Sequence, residues 1–241
     1  MHSTYKKAWL TKKIHLLNYC QNNLLHYLAD HDIYMRSQYC QDNFIDTFVT
    51  HQMYNGFFVD IGAHDGTKWS NSYFFEKKRN WKGICIEPIK DAFDQLVLSR
   101  NAICINACVG SYDGYADFYR VQGAPEQLSG LVSTYHPHHK NRMDYEIERD
   151  HGSVAIEKVP IFTLNTILEK QNVKHVDFLS IDTEGSEFEI IKAIDFDAYY
   201  IRAIAVENTH HGEELRTFLK SKGFTHVTRL FNCDDIFINM K

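Results

Sequence analysis

Residues 57–66 read FFVDIGAHDG, in which an apolar run meets a turn bracketed by glycines. The apolar residues favour a β-strand that is buried on both faces, as in a parallel sheet. Gly62 and Gly66 let the chain reverse and let backbone N–H groups approach a ligand closely. Asp60 lies near the end of the strand and Asp65 lies in the turn. The stretch therefore predicts a sheet with a ligand-binding loop after one of its strands.

The two acidic residues restrict the ligand that this loop can bind. A turn that opens onto a helix N-terminus normally attracts anions, but Asp65 would repel a pyrophosphate. The loop also lacks the GxGxxG spacing of dinucleotide sites, and His64 occupies a place where a pyrophosphate needs a small neutral residue. These features disfavour a nicotinamide dinucleotide. They favour a ligand such as S-adenosylmethionine, which carries a sulfonium, an ammonium and a ribose.

Strand-like and helix-like segments alternate along most of the chain. The strands expected after the first are residues 83–88, 102–110, 176–182, 202–208, 224–230 and 234–240. Helical spacing of apolar residues occurs at residues 5–29, 36–54, 67–80, 90–100, 186–194 and 212–221. This alternation predicts an α/β fold with a mostly parallel seven-stranded sheet, in which the last two strands form an antiparallel hairpin at one edge.

The length of 241 residues predicts one main domain with an extension. We expect residues 1–35 to form a helical N-terminal extension and residues 36–241 to form the α/β domain. Between about residues 120 and 158 the alternation stops. Because a connection of that length is uncommon, we expect this segment to be a lid over the site or a surface excursion.

Composition argues against several classes of protein. The net charge of -5 shows no basic excess, so we expect no nucleic-acid partner. Apolar runs fall short of the roughly 18 residues that span a bilayer, and lysines interrupt any signal peptide near the N-terminus, so we expect no membrane insertion and a cytoplasmic protein. The six cysteines form no CxxC pair and suit reduced thiols.

Acidic residues stand at the ends of four predicted strands, where parallel sheets bind their ligands: Asp60, Glu87, Asp182 and Glu207. Glu87 suits two ribose hydroxyls, and the alternative is a solvated carboxylate at a strand end. Asp182 and Glu207, with Asn208, offer oxygen ligands for a divalent cation such as magnesium. The alternative is that these acidic groups bond to backbone amides or to the substrate.

Nine segments together form a wider pattern. They are SQYCQDNFI (37–45), NGFFVDIGAHDG (55–66), SNSYFFE (70–76), WKGICIEP (81–88), NACVG (106–110), LSGL (128–131), VPIFTLNTIL (159–168), DFLSIDTEGSEFEIIKAIDF (177–196) and DDIFI (234–238). In this order they resemble the FkbM family of S-adenosylmethionine-dependent methyltransferases. The resemblance implies a Rossmann-like class I methyltransferase fold and methyl transfer to a hydroxyl oxygen, frequently on a sugar or a polyketide-type metabolite.

The resemblance also implies which residues contact the cofactor. Around S-adenosylmethionine it places Asp60, Gly62, Asp65, Gly66 and Glu87, with Asn106 and Ala107 near the adenine and Asp182 on the reaction face. His64 stands where family members often have asparagine or tyrosine, and we expect it to face either the cofactor or the acceptor. Cys40 stands where glycine is common.

A hydroxyl is a poor nucleophile at neutral pH, so a positioned base would raise the rate by about 10² to 10⁴. Asp182 is our first candidate for this base, and His210 is the weaker one. The expected acceptor is a small molecule or a glycan, with a non-sugar secondary metabolite as the alternative. Two other functions stay open, namely a module that binds S-adenosylmethionine or a nucleotide without turnover, and an oxidoreductase.

Overall fold

Two β-sheets organise the part of the chain that the computed structural model describes, which is residues 34–123, 126–135, 137–208 and 212–241. The strands are β1 (Phe57–Ile61), β2 (Lys82–Ile86), β3 (Ile103–Ile105), β4 (Cys108–Val109), β5 (Gly114–Gln122), β6 (Gly130–Leu131), β7 (Ser153–Phe162), β8 (His175–Ile181), β9 (Tyr200–Glu207), β10 (Phe224–Leu230) and β11 (Asp234–Asn239). The larger sheet has the order β10-β11-β9-β8-β1-β2-β3, and the smaller sheet has the order β4-β7-β5-β6.

Helices connect most of these strands. They are α1 (Gln41–Phe44), which continues as a π-helix (Ile45–Val49), α2 (Tyr73–Arg79), α3 (Lys90–Ser99), α4 (Pro137–Asp150), α5 (Leu164–Lys170), α6 (Glu187–Ala193) and α7 (Gly212–Ser221), with one turn of 3-10 helix (Glu126–Leu128). No helix among the described residues is long and apolar enough to cross a membrane.

The larger sheet confirms the predicted mixed architecture. Strands β3, β2, β1, β8 and β9 run parallel, and β11 lies antiparallel between β9 and β10. After β3 the chain returns to the other side of β1, so the strand order reverses between β1 and β8. Ligands of such sheets bind at the carboxyl ends of the strands beside this reversal.

Apolar side chains cover both faces of β1, because its residues alternate between the two sides of the sheet. Val59 packs in a buried cluster with residues of α5, α6 and α7, whereas Phe58 packs in a second cluster with residues of α1, α2 and α3. Both side chains have an exposed fraction of 0%. Burial of this apolar surface on both faces holds β1 rigidly at the centre, and the loop after it is therefore well positioned.

Three predicted elements differ from the structure. Residues 102–110, predicted as one strand, form β3 and β4 in different sheets, and the Asn106 amide holds the bend between them by donating to the carbonyl oxygens of Glu87 and Pro88. The helix predicted at 67–80 begins at Tyr73, because Asp65 fixes the preceding residues in a turn. The helix predicted at 36–54 is limited to α1 and the π-helix that follows it.

The segment between about residues 120 and 158 contributes to the smaller sheet. β5 pairs antiparallel with β7 along its whole length, and α4 fills much of the connection between them. The sequence analysis did not predict this sheet. In the structure, the residues of β5 alternate in burial between Tyr115 and Tyr119. The role of the segment as a lid stays a prediction.

Two other sequence predictions concern the N-terminus and the thiols. The helical extension predicted at residues 1–35 falls outside the described residues except for Tyr34 and Met35. Within the described residues, the cysteines are free, as predicted. Cys40 precedes α1 with a φ of 61°, a left-handed conformation that glycine adopts readily.

Candidate active site

A cavity of about 320 Å³ lies at the carboxyl ends of the central strands. Its volume falls in the range of sites that hold small molecules and cofactors. The residues that line it include the predicted Asp60, Gly62, His64, Glu87, Ala107, Asp182 and Glu207. The structure therefore brings together, at the reversal of strand order, most of the residues that the sequence analysis selected.

The loop after β1 is held between the ends of β2 and β8. The backbone N–H groups of Gly62 and Ala63 donate to the carbonyl oxygen of Ile86 at 3.0 and 3.1 Å. A Cβ atom at Gly62 would lie 1.8 Å from the carbonyl oxygen of Asp182, and φ at this residue is 84°. Both facts require glycine, because a side chain there would force β1 and β8 apart and strain the backbone.

Glu87 is a buried carboxylate at the end of β2, with an exposed fraction of 4%. Its Oε2 accepts from the backbone N–H of His64 and its Oε1 accepts from that of Ile89, each at 2.8 Å. Burial raises the pKa of Glu87 to about 7, although the two N–H groups oppose the shift. Each oxygen retains a lone pair for a further donor, which fits the predicted bonds to ribose hydroxyls.

Three predicted cofactor contacts have local partners and are not among the residues that line the cavity. Oδ1 of Asp65 accepts from the backbone N–H groups of Thr67 and Lys68 at 2.8 Å. Gly66 donates its N–H to the carbonyl oxygen of Ala63, and Asn106 ties the bend after β3. These residues shape the loop, and a direct contact with the cofactor stays a prediction for Asp65, Gly66 and Asn106.

Asp60 is held by a buried polar network that the sequence analysis missed. Its Oδ2 accepts from the hydroxyl of Ser72 at 2.5 Å. Arg100 donates to that hydroxyl at 3.0 Å and to the carbonyl oxygen of Gly66 at 3.1 Å, and it pairs with Glu76 at 2.9 Å. Burial raises the pKa of Asp60, although Ser72 and Arg100 oppose the shift. Arg100 thus connects Asp60 to the glycine loop.

Carboxylates gather on the side of the cavity beyond β8. Asp182, Glu184 and Glu207 each place an oxygen within 4.8 Å of the others, and the Asp182 side chain is open to the cavity. The enclosing walls limit the water around Asp182, and Glu207 and Glu184 add like charge, so its pKa lies well above the ordinary value. Burial also raises the pKa of Asp234, which pairs with Glu207 across β9 and β11, to about 6.

Asn208 does not join this group. Its amide donates to Oδ2 of Asp235 at 2.6 Å and to the carbonyl oxygen of Gly212 at 3.2 Å. Burial alone would raise the pKa of Asp235, but hydrogen bonds from His226, Arg216 and Asn208 lower it below its ordinary value. Glu184, which the sequence analysis did not select, takes the place predicted for Asn208 beside Asp182 and Glu207. His210, the weaker candidate base, lies outside the described residues.

Two further segments contribute walls that the sequence did not connect with the site. Gln38, Tyr39 and Gln41 line the cavity from the chain around the start of α1. Phe118 of β5 and Arg142 of α4 line it from the smaller sheet and its connection. The cavity therefore lies between the central strands of the larger sheet, the N-terminal part of the domain and the smaller sheet.

Comparison with known proteins identifies the family of this chain. The sequence model of the methyltransferase FkbM domain matches residues 60–225, which is more than half of the chain. The chain belongs to the FkbM methyltransferase family. As a member of this family it is an S-adenosylmethionine-dependent methyltransferase. Methyltransferase sdnD of Sordaria araneosa is 26% identical over 207 residues, and the match covers 73% of this chain and 75% of that protein.

Solved structures with similar folds have low sequence identity to this FkbM-family chain. Methyltransferase FkbM from Methylobacillus flagellatus KT matches with a TM-score of 0.44 and 14% identity over 76% of this chain. This chain spans 43% of the length of that bacterial chain. The N-terminal domain of human METTL16 matches with a TM-score of 0.45 and 12% identity, over 83% of this chain and 68% of that chain.

The chemistry of the cavity fits S-adenosylmethionine. The buried carboxylate of Glu87 suits the two ribose hydroxyls, as predicted for a strand-end acid. Ile89 and Ala107 offer apolar surface beside Glu87 for the adenine. Asp60 and Asp182, on the other side of the loop, suit the cationic end of the cofactor, because carboxylates stabilise an ammonium and a sulfonium.

Proposed function

We propose that this FkbM methyltransferase transfers the methyl group to a hydroxyl oxygen of a sugar or glycan. The observation that carries the proposal is the polar wall around Asp182. The cavity is also lined by polar groups that can bond to a hydroxyl, namely Gln38, Glu184, Glu207 and the hydrogen-bonded pair Gln41 and Asp234. A polyhydroxylated ring needs many such partners, because each hydroxyl that loses water without a replacement bond costs binding free energy. An apolar metabolite would need an apolar wall.

Alignment provides most of the rate enhancement for this reaction. S-adenosylmethionine supplies a methyl group on a sulfonium, which an oxygen displaces in line. Holding the acceptor in that geometry is worth about 7 to 11 kcal/mol. Glu87 fixes the position of the ribose, and the loop at Gly62 fixes the distance between the ends of β1 and β8. The polar wall orients the acceptor hydroxyl.

Asp182 is the base in this proposal. A carboxylate with a raised pKa is a stronger base than an ordinary one, so it removes the hydroxyl proton more effectively once it is ionised. Glu184 and Glu207 favour the protonated form of Asp182, because its protonation removes one of three like charges that lie close together. The rate of transfer should therefore rise as the pH rises through the pKa of Asp182.

A divalent cation is a second means of activating the hydroxyl. Asp182, Glu184 and Glu207 provide an all-oxygen set of ligands, which hard cations such as magnesium prefer. Bound there, a cation would lower the pKa of an acceptor hydroxyl. In that arrangement Asp182 would be a ligand instead of the base, and EDTA would remove the activity.

The experiment that tests the proposed function measures transfer from methyl-labelled S-adenosylmethionine to two panels of alcohols, with and without EDTA. One panel contains monosaccharide glycosides and the other contains apolar secondary alcohols of similar size. We expect labelled O-methyl glycosides, with loss of transfer in Asp182→Asn and retention in the exposed control Asp197→Asn. Labelling of the apolar alcohols alone would contradict the sugar acceptor and indicate a non-sugar metabolite instead.

A further inference from the structure

Trp69 is an exposed aromatic residue at the cavity to which neither the fold nor the proposed reaction gives a role. Its exposed fraction is 45%, and it lines the cavity shortly after the glycine loop. Of the large apolar side chains that are exposed among the described residues, Trp69 is the one that also lines the cavity. An aromatic side chain buries about 150 to 250 Å² when it is fully covered, so an exposed ring at a binding site favours a ligand with an apolar surface.

Contacts of the backbone hold Trp69 in a defined conformation. Its φ is 57°, a left-handed conformation that is uncommon for a bulky residue. Before it, Oδ1 of Asp65 accepts from the backbone N–H of Lys68 at 2.8 Å. Trp69 itself forms an isolated parallel bridge with Ser37. A conformation of this kind persists where neighbouring contacts impose it, and such residues cluster at ligand-binding sites.

Lys68 covers one face of the Trp69 ring. Its Nζ lies 4.1 Å from the ring centroid, which is within the range of a cation–π contact. Because an indole ring has two faces, the face opposite Lys68 is the one on which a ligand can stack. The contact also restricts the side chain, and a restricted side chain loses less entropy when a ligand binds to it.

The wall next to Trp69 continues into the polar wall of the acceptor side. Ser37 pairs with Trp69, and Gln41, four residues later, bonds to the carboxylate of Asp234. Asp234 in turn pairs with Glu207 across β11 and β9. Four residues of chain span at most about 14 Å. One short segment therefore joins Trp69 to the carboxylates that are proposed to bond to the acceptor.

We propose that the ring of the sugar acceptor stacks on the face of Trp69 that Lys68 does not cover. A sugar ring carries hydroxyls around its rim and C–H groups on its faces. The face of an aromatic ring is negative and attracts these polarised C–H groups, while the polar wall around Asp182 bonds to the rim hydroxyls. Together the two surfaces select a sugar ring over an acyclic polyol, which has no extended apolar face. This inference rests on the proposed function, because it names a residue that the sugar acceptor contacts.

The first test measures the kinetics of methyl transfer to the monosaccharide glycosides that wild type methylates. We expect Trp69→Ala to raise KM for the glycoside by about 5- to 30-fold and to leave kcat within about threefold of wild type, since stacking contributes equally before and during the transfer. Trp69→Phe keeps an aromatic face, so its KM should stay within about threefold of wild type.

Two further variants complete this test. Trp69→Gly accepts the φ of 57° without strain, so it should match Trp69→Ala and decides the matter if that variant does not fold. Tyr112→Ala is the matched control and should leave KM unchanged. The Tyr112 side chain is 47% exposed, and Tyr112 is not among the residues that line the cavity.

A second measurement observes the indole directly. S-adenosylhomocysteine has no methyl group to transfer, so binding of a glycoside to its complex with the protein is measured without reaction. We expect the glycoside to change the tryptophan fluorescence of wild type, and the change should be absent in Trp69→Phe. Trp81 is buried and bonded to the carbonyl oxygen of Met53, so it should not contribute to the change. Calorimetric binding of S-adenosylhomocysteine alone should stay within about twofold of wild type in Trp69→Ala.

The outcomes separate this inference from the proposed function. An unchanged KM in Trp69→Ala would overturn the stacking proposal while the proposed function stands, because the glycosides would still be methylated. A loss of affinity for S-adenosylhomocysteine as large as the rise in KM would overturn it by assigning Trp69 to the cofactor. Failure of wild type to methylate any glycoside would refute the proposed function, and the sugar-stacking role would be refuted with it.

Discussion

Glu87 allows the account of the cofactor site to be tested by pH as well as by mutation. Its carboxylate accepts one backbone N–H at each oxygen and is buried, and burial raises its pKa to about 7. The ionised form can accept hydrogen bonds from two ribose hydroxyls, whereas the protonated form has a hydrogen on one oxygen and loses one of these bonds. Binding of S-adenosylmethionine should therefore favour the ionised form and strengthen as the pH rises through about 7.

The magnitude follows from the position of this pKa. If only the ionised form binds, the apparent Kd is the intrinsic Kd divided by the ionised fraction. For a pKa of about 7, about 9% of the groups are ionised at about pH 6 and about 91% at about pH 8. The affinity should thus increase by about tenfold between these two pH values. Above about pH 8 it should be constant.

Calorimetric titration with S-adenosylhomocysteine across this pH range measures the effect in wild type and in Glu87→Gln. The variant cannot ionise at this position, so its affinity should be weaker than that of wild type at high pH and should change little with pH. Glu213→Gln is the matched control, because the Glu213 side chain is 83% exposed. A tenfold pH dependence that persists in Glu87→Gln would refute the reasoning, since another group would then be responsible.

Three further predictions concern stability and the buried polar network. Gly62→Ala should lower the free energy of unfolding in urea by about 2 to 4 kcal/mol, because its Cβ would overlap the carbonyl oxygen of Asp182. A loss below about 0.5 kcal/mol would contradict the close approach of Gly62 to Asp182. Arg100→Ala should lower the free energy of unfolding by about 1.5 to 3 kcal/mol by removing the bond between Arg100 and Glu76, which keeps Lys77 as a partner, and Arg100→Lys should cost less while still weakening cofactor binding. Unchanged urea midpoints would exclude this role. The raised pKa of Asp234 adds stability at low pH that is lost as the pH rises through about 6. The midpoint of thermal unfolding should therefore depend less on pH in Asp234→Asn than in wild type between about pH 4 and 8. Parallel profiles of the two proteins would count against this role.

The sequence predicted the larger sheet and the centre of the site because their signals are local. Apolar runs such as residues 57–61 mark strands that are buried on both faces. An acid that directly follows such a run, as Glu87 and Asp182 do, lies at the carboxyl edge whatever the rest of the fold is. The strand order and the antiparallel hairpin then follow from general rules of connection.

The remaining features depend on contacts between residues that are distant in the chain. Arg100 acquires its role from Glu76 and from Ser72, 28 residues earlier, and Trp69 acquires its position from a bridge to Ser37, which precedes β1. Neither pairing leaves a periodic signal in the sequence. Asp65 shows a different difficulty, because an acid in a glycine turn suits both a ligand contact and a local cap, and only the geometry of the turn distinguishes them.

The smaller sheet was missed for a related reason. β5 and β7 are joined through a connection that contains α4 and lies outside the strand-helix alternation of the larger sheet. Their antiparallel register, with Phe118 opposite Glu157, is set by pairing across that connection. Phe118 contributes to the cavity wall as a result, so the shape of the acceptor side depends on a sheet that the alternation rule does not predict.

In the proposed reaction, the carboxylate of Asp182, at the end of β8, activates the acceptor hydroxyl for methyl transfer. The most direct measurement compares wild type with Asp182→Asn in two assays, transfer of labelled methyl to the glycoside panel and calorimetric binding of S-adenosylhomocysteine. We predict that the variant loses transfer by at least about 100-fold while its affinity for S-adenosylhomocysteine stays within about tenfold of wild type. Near-normal transfer to the glycosides by Asp182→Asn would contradict the account.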